Sequence, residues 1–361
     1  MKKIVINTGG GDAPGLNAVI RAIVLSAMNR GWEVYGSRFG YRGLLESDHL
    51  VHLDRDTVRG ITHLGGTILG TTNRGDPFSY PVKTKNSVTL EDLSGQVVET
   101  FHKYGFEAFI VIGGDGSLRI AQRFVDLGLP IVAVPKTIDN DLSNTDITFG
   151  FDTAVTTATE ALDKLHSTAE AHERVMVVEV MGRYAGWIAL NSGVAATADV
   201  ILIPEIPFDI EKVCRKIMER ELQGRRFSIV VVAEGAKSTG GDLTTTTDKL
   251  EPGRQEVRLG GIAAKVSDQI REITGKDCRS IVLGHLQRGG SPTTFDRLLS
   301  LRLGTAAIRF VEKEMFGYMV AIDSMDIRAV PIKDAVEGTK FVPLDCDTID
   351  AARDLGISFG D

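Results

Sequence analysis

Short runs of β-branched apolar residues recur along this chain, at 3–7, 109–112, 131–135, 175–180, 199–203, 228–233 and 280–284, most with glycine or proline at their ends. Runs that are apolar at consecutive rather than alternate positions belong to strands covered on both faces, as in parallel sheets. Stretches of helical spacing fall between most of them. Leu16, Val19, Ile20, Ile23 and Val24 mark one helix after the first run. Ile120, Phe124, Val125 and Leu127 mark another over 118–127. The alternation predicts βαβ units, an α/β fold, and a mainly parallel sheet in each half of the chain. A new strand–helix series begins just after residue 150, which sets the expected boundary. Residues 235–260 show no periodicity and read as a long surface loop.

The loops at the ends of these strands carry the chemistry. Phe109-Ile110-Val111-Ile112 leads into Gly113-Gly114-Asp115-Gly116, and Ile131-Val132-Ala133-Val134 into Pro135-Lys136-Thr137-Ile138-Asp139-Asn140-Asp141. With one helix between them, the two loops should lie side by side at the carboxyl edge of the sheet. Glycines that let backbone N–H groups approach an anion would then adjoin a loop with two carboxylates, an arrangement suited to phosphoryl transfer. The first strand ends in Thr8-Gly9-Gly10-Gly11-Asp12-Ala13-Pro14-Gly15. Asp12 is read there as a helix N-cap and Pro14 as a first-turn residue, with the glycines forming an anion cradle. The spacing matches neither the dinucleotide fingerprint nor a Walker A loop, and no G-x-x-x-x-G-K-[ST] occurs in the chain.

Composition adds bounds. At 361 residues the chain exceeds one comfortable core, so two domains or one large α/β domain are expected. A net charge of −7 argues against a nucleic-acid partner but leaves room for local arginine clusters facing small anions. Cys214, Cys278 and Cys346 are odd in number and lack metal-ligand spacing, as in a reducing compartment. Met1-Lys2-Lys3 leads straight into the first strand, and no apolar run approaches a membrane span of about 20 residues. A cytoplasmic protein is expected, with no membrane partner.

The segment 135–141, at its distance from 113–116, resembles the catalytic loop of the 6-phosphofructokinase family. Further motifs of that family appear in order: Gly10 to Gly15, Asn73-Arg74, Glu179 to Gly186, Glu234, and Leu283-Gly284-His285-Leu286-Gln287-Arg288-Gly289-Gly290. The resemblance spans nearly the whole chain, and Gly116 with Lys136 marks a mixed-pattern branch. It implies two similar three-layer domains with the active site in the cleft between them. Residues 1–150 plus about 287–337 would bind nucleotide, and 151–286 plus about 338–361 fructose 6-phosphate. It further implies Mg²⁺ and ATP as cofactor and donor, with Asp115 on the metal. Nucleotide would contact Gly11, Arg74, Gly75, Gly114, Asp115, Gly116 and Ser117, and more loosely Tyr41. Asp139 would act as general base toward the sugar 1-hydroxyl. Thr137 and Asp141 would position substrate and metal, and Arg183 and Arg74 would offset charge on the transferring group. Ile138, Met181, Gly182, Glu234, His285, Leu286, Gln287 and Arg288 would line the sugar-phosphate pocket.

Spacing also bears on assembly. Arg174 precedes the strand that ends at Met181, and Arg279 the one that ends near Gly284. The two ends of such a strand lie about 20–30 Å apart, so both cannot serve one sugar phosphate from one subunit. The resemblance implies that Arg174 and Arg279 complete a neighbour's site in a homo-oligomer, a tetramer by expectation.

The phosphoryl donor divides the family. Gly116 is of the ATP type, leaving room beside the α-phosphate, whereas Lys136 is of the pyrophosphate type. The absent obstruction outweighs the added lysine, so ATP is expected and pyrophosphate is the alternative. A nicotinamide-dinucleotide or lipid kinase would leave the sugar-phosphate motifs unused. A silent sugar-phosphate sensor would not need Asp115 and Asp139. An effector site of the kind found in regulated members could draw on Arg21, Arg55, Arg225, Arg226 and Asp199, although Leu25 stands where an arginine is common.

Overall fold

The computed structural model describes residues 1–83, 88–245 and 259–361. The first half runs β1 (Lys3–Thr8), α1 (Leu16–Met28), β2 (Glu33–Ser37), α2 (Arg42–Leu45), β3 (Leu50–Leu53), β4 (Tyr80–Lys83), β5 (Val88–Glu91), α3 (Ser94–Lys103), β6 (Ala108–Gly113), α4 (Asp115–Asp126) and β7 (Ile131–Pro135). Then come α5 (Phe151–His172), β8 (Val175–Val180), α6 (Trp187–Ala195), β9 (Val200–Leu202), α7 (Ile210–Leu222), β10 (Ser228–Ala233), α8 (Ile262–Thr274) and β11 (Cys278–Val282). The remainder is α9 (Thr294–Glu312), β12 (Tyr318–Asp323), β13 (Asp326–Pro331), α10 (Ile332–Val336) and α11 (Asp347–Asp354).

Seven strands form a large sheet in the order β13-β12-β7-β6-β1-β2-β3, parallel except for the antiparallel edges β12–β13 and β2–β3. Ile4, Ile6, Ile110 and Val134 pack on one face against α1 and α9. Val5, Phe109, Val111 and Ala133 pack on the other against α3, α4 and α10. A smaller, wholly parallel sheet has the order β11-β8-β10-β9. Met176, Val178 and Val231 face α5, α6 and α11, while Val177, Val230 and Leu202 face α7 and α8. Both sheets are therefore sandwiched by helices, which explains why their strands read as unbroken apolar runs.

Some expectations shift. The helix after β1 starts at Leu16, with Gly15 at its N-cap in a left-handed conformation (φ 106°) and no side-chain cap, so Asp12 is not the cap and Pro14 lies outside the helix. A β-carbon on Gly15 would fall 2.4 Å from Ser300 Oγ, so the chain passes too close to α9 for any other residue. The last strand of the small sheet is 278–282 rather than 280–284. Of the expected loop 235–260, residues 246–258 lie outside the described residues, and its flanks meet in an antiparallel bridge between Thr245 and Leu259.

A buried carboxylate ties α9, packed on the large sheet, to α5, packed on the small one. Asp296, on α9, accepts from Gly150 N (2.9 Å), Thr153 N (2.8 Å) and Thr153 Oγ1 (2.6 Å), satisfying the N-terminal donors of α5. Burial raises its pKa to about 6 in spite of these bonds.

Candidate active site

β1 and β6 are neighbours, yet their following helices α1 and α4 pack on opposite faces of the large sheet. The loops leaving their carboxyl ends therefore diverge and open a crevice, the usual ligand position in an open α/β sheet. Gly9 N donates to Ile112 O (2.9 Å), Gly10 N to Thr72 O (3.2 Å) and Lys136 N to Gly113 O (2.9 Å). These three bonds lace the glycine loop, the Arg74 loop and the 135–141 loop into one rim. Ser117 is buried between them. A β-carbon on Gly113 would fall 2.2 Å from its Cβ, and one on Gly9 2.5 Å from its Oγ. That close approach is why glycines stand at the ends of both strands.

Asp115 is the first residue of α4, where the helix dipole favours a carboxylate, and it pairs with Arg119 (2.9 Å). Gly114 and Gly116 flank it, half-buried. Arg74 and Gly75 stand on the rim, with Arg74 N donating to Thr72 Oγ1 (3.1 Å). Tyr41 is otherwise placed than the looser expectation. It is 4% exposed, with its ring packed on Phe109 and Phe124, because α2 folds over this face of the sheet.

Lys136 is 3% exposed and donates its ammonium to Gly11 O. Burial, with Arg288 beside it, pulls its pKa down to about 7, against the opposing pull of Asp12, Asp139 and Asp141. The lysine is thus committed to shaping the glycine loop from beneath. In the next turn Asp139 N donates to Thr137 Oγ1 (3.1 Å), and Thr148 Oγ1 donates to Thr137 O (2.7 Å). Asn140 takes a left-handed conformation (φ 53°), with its Oδ1 accepting from Thr148 N (3.1 Å). This sharp turn carries Asp139 and Asp141 on either side of it. Burial and the Asp139 charge push the pKa of Asp141 up, against the Thr137 hydroxyl that favours its ionised form. Thr148 is a support that the sequence reading missed. It lies seven residues past the turn, and nothing local marks it.

The small sheet supplies the opposite side. Met181-Gly182-Arg183 leaves the carboxyl end of β8 and Glu234 the end of β10, with Glu234 N donating to Val180 O (2.9 Å) and Gly235 N to Gly182 O (3.0 Å). Glu234 has its pKa raised to about 7, chiefly by burial and then by Asp139 and Glu179, while Arg288 and Arg183 oppose the shift. Asp139, Glu234, Arg183 and Arg288 therefore share one electrostatic environment, drawn from both halves of the chain. The Arg183 guanidinium stands 5.3 Å from the centroid of the Tyr184 ring.

Of the expected pocket residues, Ile138, Gln287 and Leu286 stand differently. The Ile138 side chain is fully buried against Ala154 and Ala158 of α5, so only its backbone can meet a ligand. Gln287 is fully buried, accepting from Met181 N (3.2 Å) and donating to Gly284 O (3.0 Å), and so holds up the β8 loop from behind. Leu286 is 69% exposed, and its neighbour His285 is exposed too, because the turn of 3₁₀ helix over 284–288 buries only Gln287. Arg288 donates to Asp12 O (3.1 Å) and lies against Gly11, at the seam with the glycine loop.

Arg174 and Arg279 stand together at the far, amino end of β8 and β11, where both pair with Asp277 (Arg174, 2.6 Å). Six strand residues separate this end from Met181, about 20 Å. Four of the five candidate effector residues have partners of their own. Arg21 donates to Val58 O (2.9 Å), Arg55 to Asn29 Oδ1 (2.5 Å), and Arg226 pairs with Glu173 (3.0 Å). Asp199 is buried, paired with Arg220 (2.7 Å) and accepting from Ile229 N (2.9 Å).

Among the described residues no set of three or more His, Cys, Asp or Glu side chains is gathered for a metal, and no helix is long and apolar enough to cross a membrane. What remains is one carboxylate in the first turn of α4, two more in the adjacent turn, glycine loops and cations facing them from the second sheet.

That arrangement has relatives. The phosphofructokinase family model matches residues 3–311. The chain is 48% identical to ATP-dependent 6-phosphofructokinase 2 of Clostridium perfringens, covering 100% of this chain and 99% of that one. It is 50% identical to ATP-dependent 6-phosphofructokinase of Chloroflexus aggregans, covering 100% and 98%. It is also 47% identical, over 99% and 100%, to pyrophosphate–fructose 6-phosphate 1-phosphotransferase of Streptomyces coelicolor. Among solved structures, Pichia pastoris phosphofructokinase in the T-state superposes with a TM-score of 0.80 at 32% identity, covering 99% of this chain and 37% of that longer one. With the glycine rim, the carboxylate turn and the full-length likeness all agreeing, the chain belongs to the phosphofructokinase family.

Proposed function

We propose that this protein is an ATP-dependent 6-phosphofructokinase, transferring the γ-phosphoryl group of ATP to the 1-hydroxyl of D-fructose 6-phosphate to give fructose 1,6-bisphosphate. The observation that carries the reading is the seam where Arg288 reaches Asp12 O and Gly11 of the glycine rim, while Asp139, Arg183 and Arg288 all act on the charge of Glu234. Asp139 accepts the proton of the attacking hydroxyl, a role that needs an ionised carboxylate within hydrogen-bond reach. Glu234 accepts from sugar hydroxyls, and His285 and Arg288 hold the 6-phosphate. Arg183 and Arg74 offset charge as it moves onto the leaving oxygen. The glycine rim and the amino end of α4 receive the triphosphate, which makes residues 1–150 with about 287–337 the nucleotide-binding part.

Mg²⁺ fits these residues. Burial and the charges of Asp139 and Asp115 raise the cost of ionising Asp141, which a divalent cation would relieve, and such an ion needs only one or two carboxylates when phosphate oxygens supply the rest. Asp115 would hold it, and it would screen the phosphate charge.

Overall identity does not separate the donors, since relatives named for ATP and for pyrophosphate lie at 48% and 47%. Gly116 favours ATP by leaving space, whereas the Lys136 ammonium, with one of its three donors on Gly11 O, is compatible with either donor. Steady-state turnover of fructose 6-phosphate with ATP, pyrophosphate or ADP tests the reading. Turnover with ATP is expected, and turnover with pyrophosphate alone would establish the alternative.

Arg174 and Arg279 are assigned to a neighbour's 6-phosphate in a homotetramer, on the strength of their distance from Met181. Mixing an Arg174→Ala, Arg279→Ala subunit with an Asp139→Asn subunit should restore turnover in hybrid oligomers. No recovery on mixing would refute the shared site.

A further inference from the structure

The segment after α10 runs back across the molecule, and one of its side chains turns inward beneath the catalytic turn. Lys340 Nζ donates to Asn140 Oδ1 (3.1 Å), Thr145 O (2.9 Å) and Asp146 O (2.8 Å), so all three of its donors are used. Its backbone N–H donates to Asp141 O (2.8 Å), and the adjacent Thr339 bridges antiparallel to Leu142. Trp187, from α6, locks the strap in place. Its Nε1 donates to Lys340 O (2.8 Å), and its ring centroid stands 5.4 Å from the ammonium. The residue whose Oδ1 receives Lys340 is the left-handed Asn140, between the two carboxylates.

We infer that Lys340 is a positioning residue for phosphoryl transfer: by filling Asn140 Oδ1 while its own backbone clamps Asp141 O, it fixes the turn that aims Asp139 and Asp141. The inference rests on the reading of Asp139 as the base. Two features separate it from ordinary packing. An ammonium is costly to desolvate even in part, and this half-buried one has turned all three donors onto the protein. Methionine would fill the same space without that cost, so the charge earns its place through what it holds. All three acceptors, moreover, belong to the stretch 140–146 that follows the base, rather than to the strap itself. Asn140 tolerates its left-handed conformation better than most residues, but its amide would be free to swing without a partner on each side. Thr148 and Lys340 are those two partners.

The test uses the full chain and a coupled assay for fructose 1,6-bisphosphate. Lys340→Met should lower kcat about 10–100-fold, the cost of a turn displaced by about an ångström, with KM for both substrates within about threefold. Asn140→Gly, which keeps access to the left-handed conformation and removes Oδ1, should show the same split. The double variant should lose less than the product of the two single losses, because the Lys340–Asn140 bond is common to both. A Lys340→Met kcat within about twofold of wild type, or losses that multiply in the double variant, would overturn the proposal. So would a loss confined to thermal stability and KM. If Lys340→Met does not fold, Asn140→Gly decides alone, by whether kcat falls at constant KM. Asp139→Asn, run alongside, tells the two readings apart: full turnover in that variant sinks the base assignment, whereas its collapse beside a normal Lys340→Met sinks only the present one.

Discussion

Replacing Asp139 with Asn removes a charge and a proton acceptor while sparing the shape of the loop. The bonds that set that shape run through other atoms: Asp139 N to Thr137 Oγ1, Thr148 Oγ1 to Thr137 O, Thr148 N to Asn140 Oδ1. None uses the carboxylate, so the variant turn should keep its place. What is lost is the proton acceptor, which typically contributes about 10²–10⁴-fold to rate, or about 3–5 kcal/mol of transition-state stabilisation. Binding should move little or in the opposite sense. The Asp139 charge is among the causes that raise the pKa of Asp141 and Glu234, so its removal relieves like-charge repulsion at both. The expected signature is therefore a kcat reduced by at least about 10²-fold with KM for fructose 6-phosphate unchanged or lower. Steady-state kinetics at saturating ATP reads both quantities, and single-turnover mixing separates the chemical step from product release. A kcat within tenfold of wild type would refute the argument. A KM that rises as kcat falls would show instead that the carboxylate binds the ground state.

Glu234 is held near neutrality by burial, with its carboxylate formed above about pH 7, so kcat/KM for fructose 6-phosphate should climb through that pH. Glu234→Gln should flatten this limb, and an unaltered profile would remove Glu234 from the substrate's partners. Gly116→Asp adds a carboxylate beside Asp115 in the first turn of α4, and should cut turnover with ATP about tenfold or more while sparing any turnover with pyrophosphate. Equal losses with both donors would count against the space argument. Asp296 has a folded-state pKa of about 6, raised above its ordinary 3.8, so its favourable contribution is complete below about pH 4 and lost as pH rises through 6. The difference amounts to about 3 kcal/mol at 1.36 kcal/mol per unit. Urea titrations of wild type and Asp296→Asn across that window should show the pH dependence shrinking in the variant, and parallel curves would be the contrary result.

The buried parallel strands were legible because they are covered on both faces and so read as continuous apolar runs: β1, β6, β7, β8 and β10 lie within a residue or two of their expected positions. β3 and β13 were not, since both are antiparallel edge strands whose residues are partly exposed. β11 slipped by two residues for the same reason: its Arg279 and Ser280 lie on an exposed edge and interrupt the apolar pattern. In the site, the carboxylates and glycines were found because their chemistry is unusual for a loop. Gln287 was misjudged because an amide can serve a ligand or a backbone equally well, and only its full burial behind Met181 distinguishes them. Lys340 lay beyond reach, as a single lysine about 200 positions from the turn it supports, in a segment with no periodicity.

Asp277, held between Arg174 and Arg279, has a consequence for selectivity. If a neighbour's sugar phosphate is to be gripped there, it must compete with a carboxylate that is permanently tethered and already paired. An incoming carboxylic acid would offer the arginines nothing they do not have. A phosphate monoester carries nearly twice the charge of a single carboxylate at neutral pH and a third acceptor oxygen, so the exchange would favour it over a monocarboxylic acid. On that reading, one small acidic residue would bias two surface arginines against simple carboxylic acids.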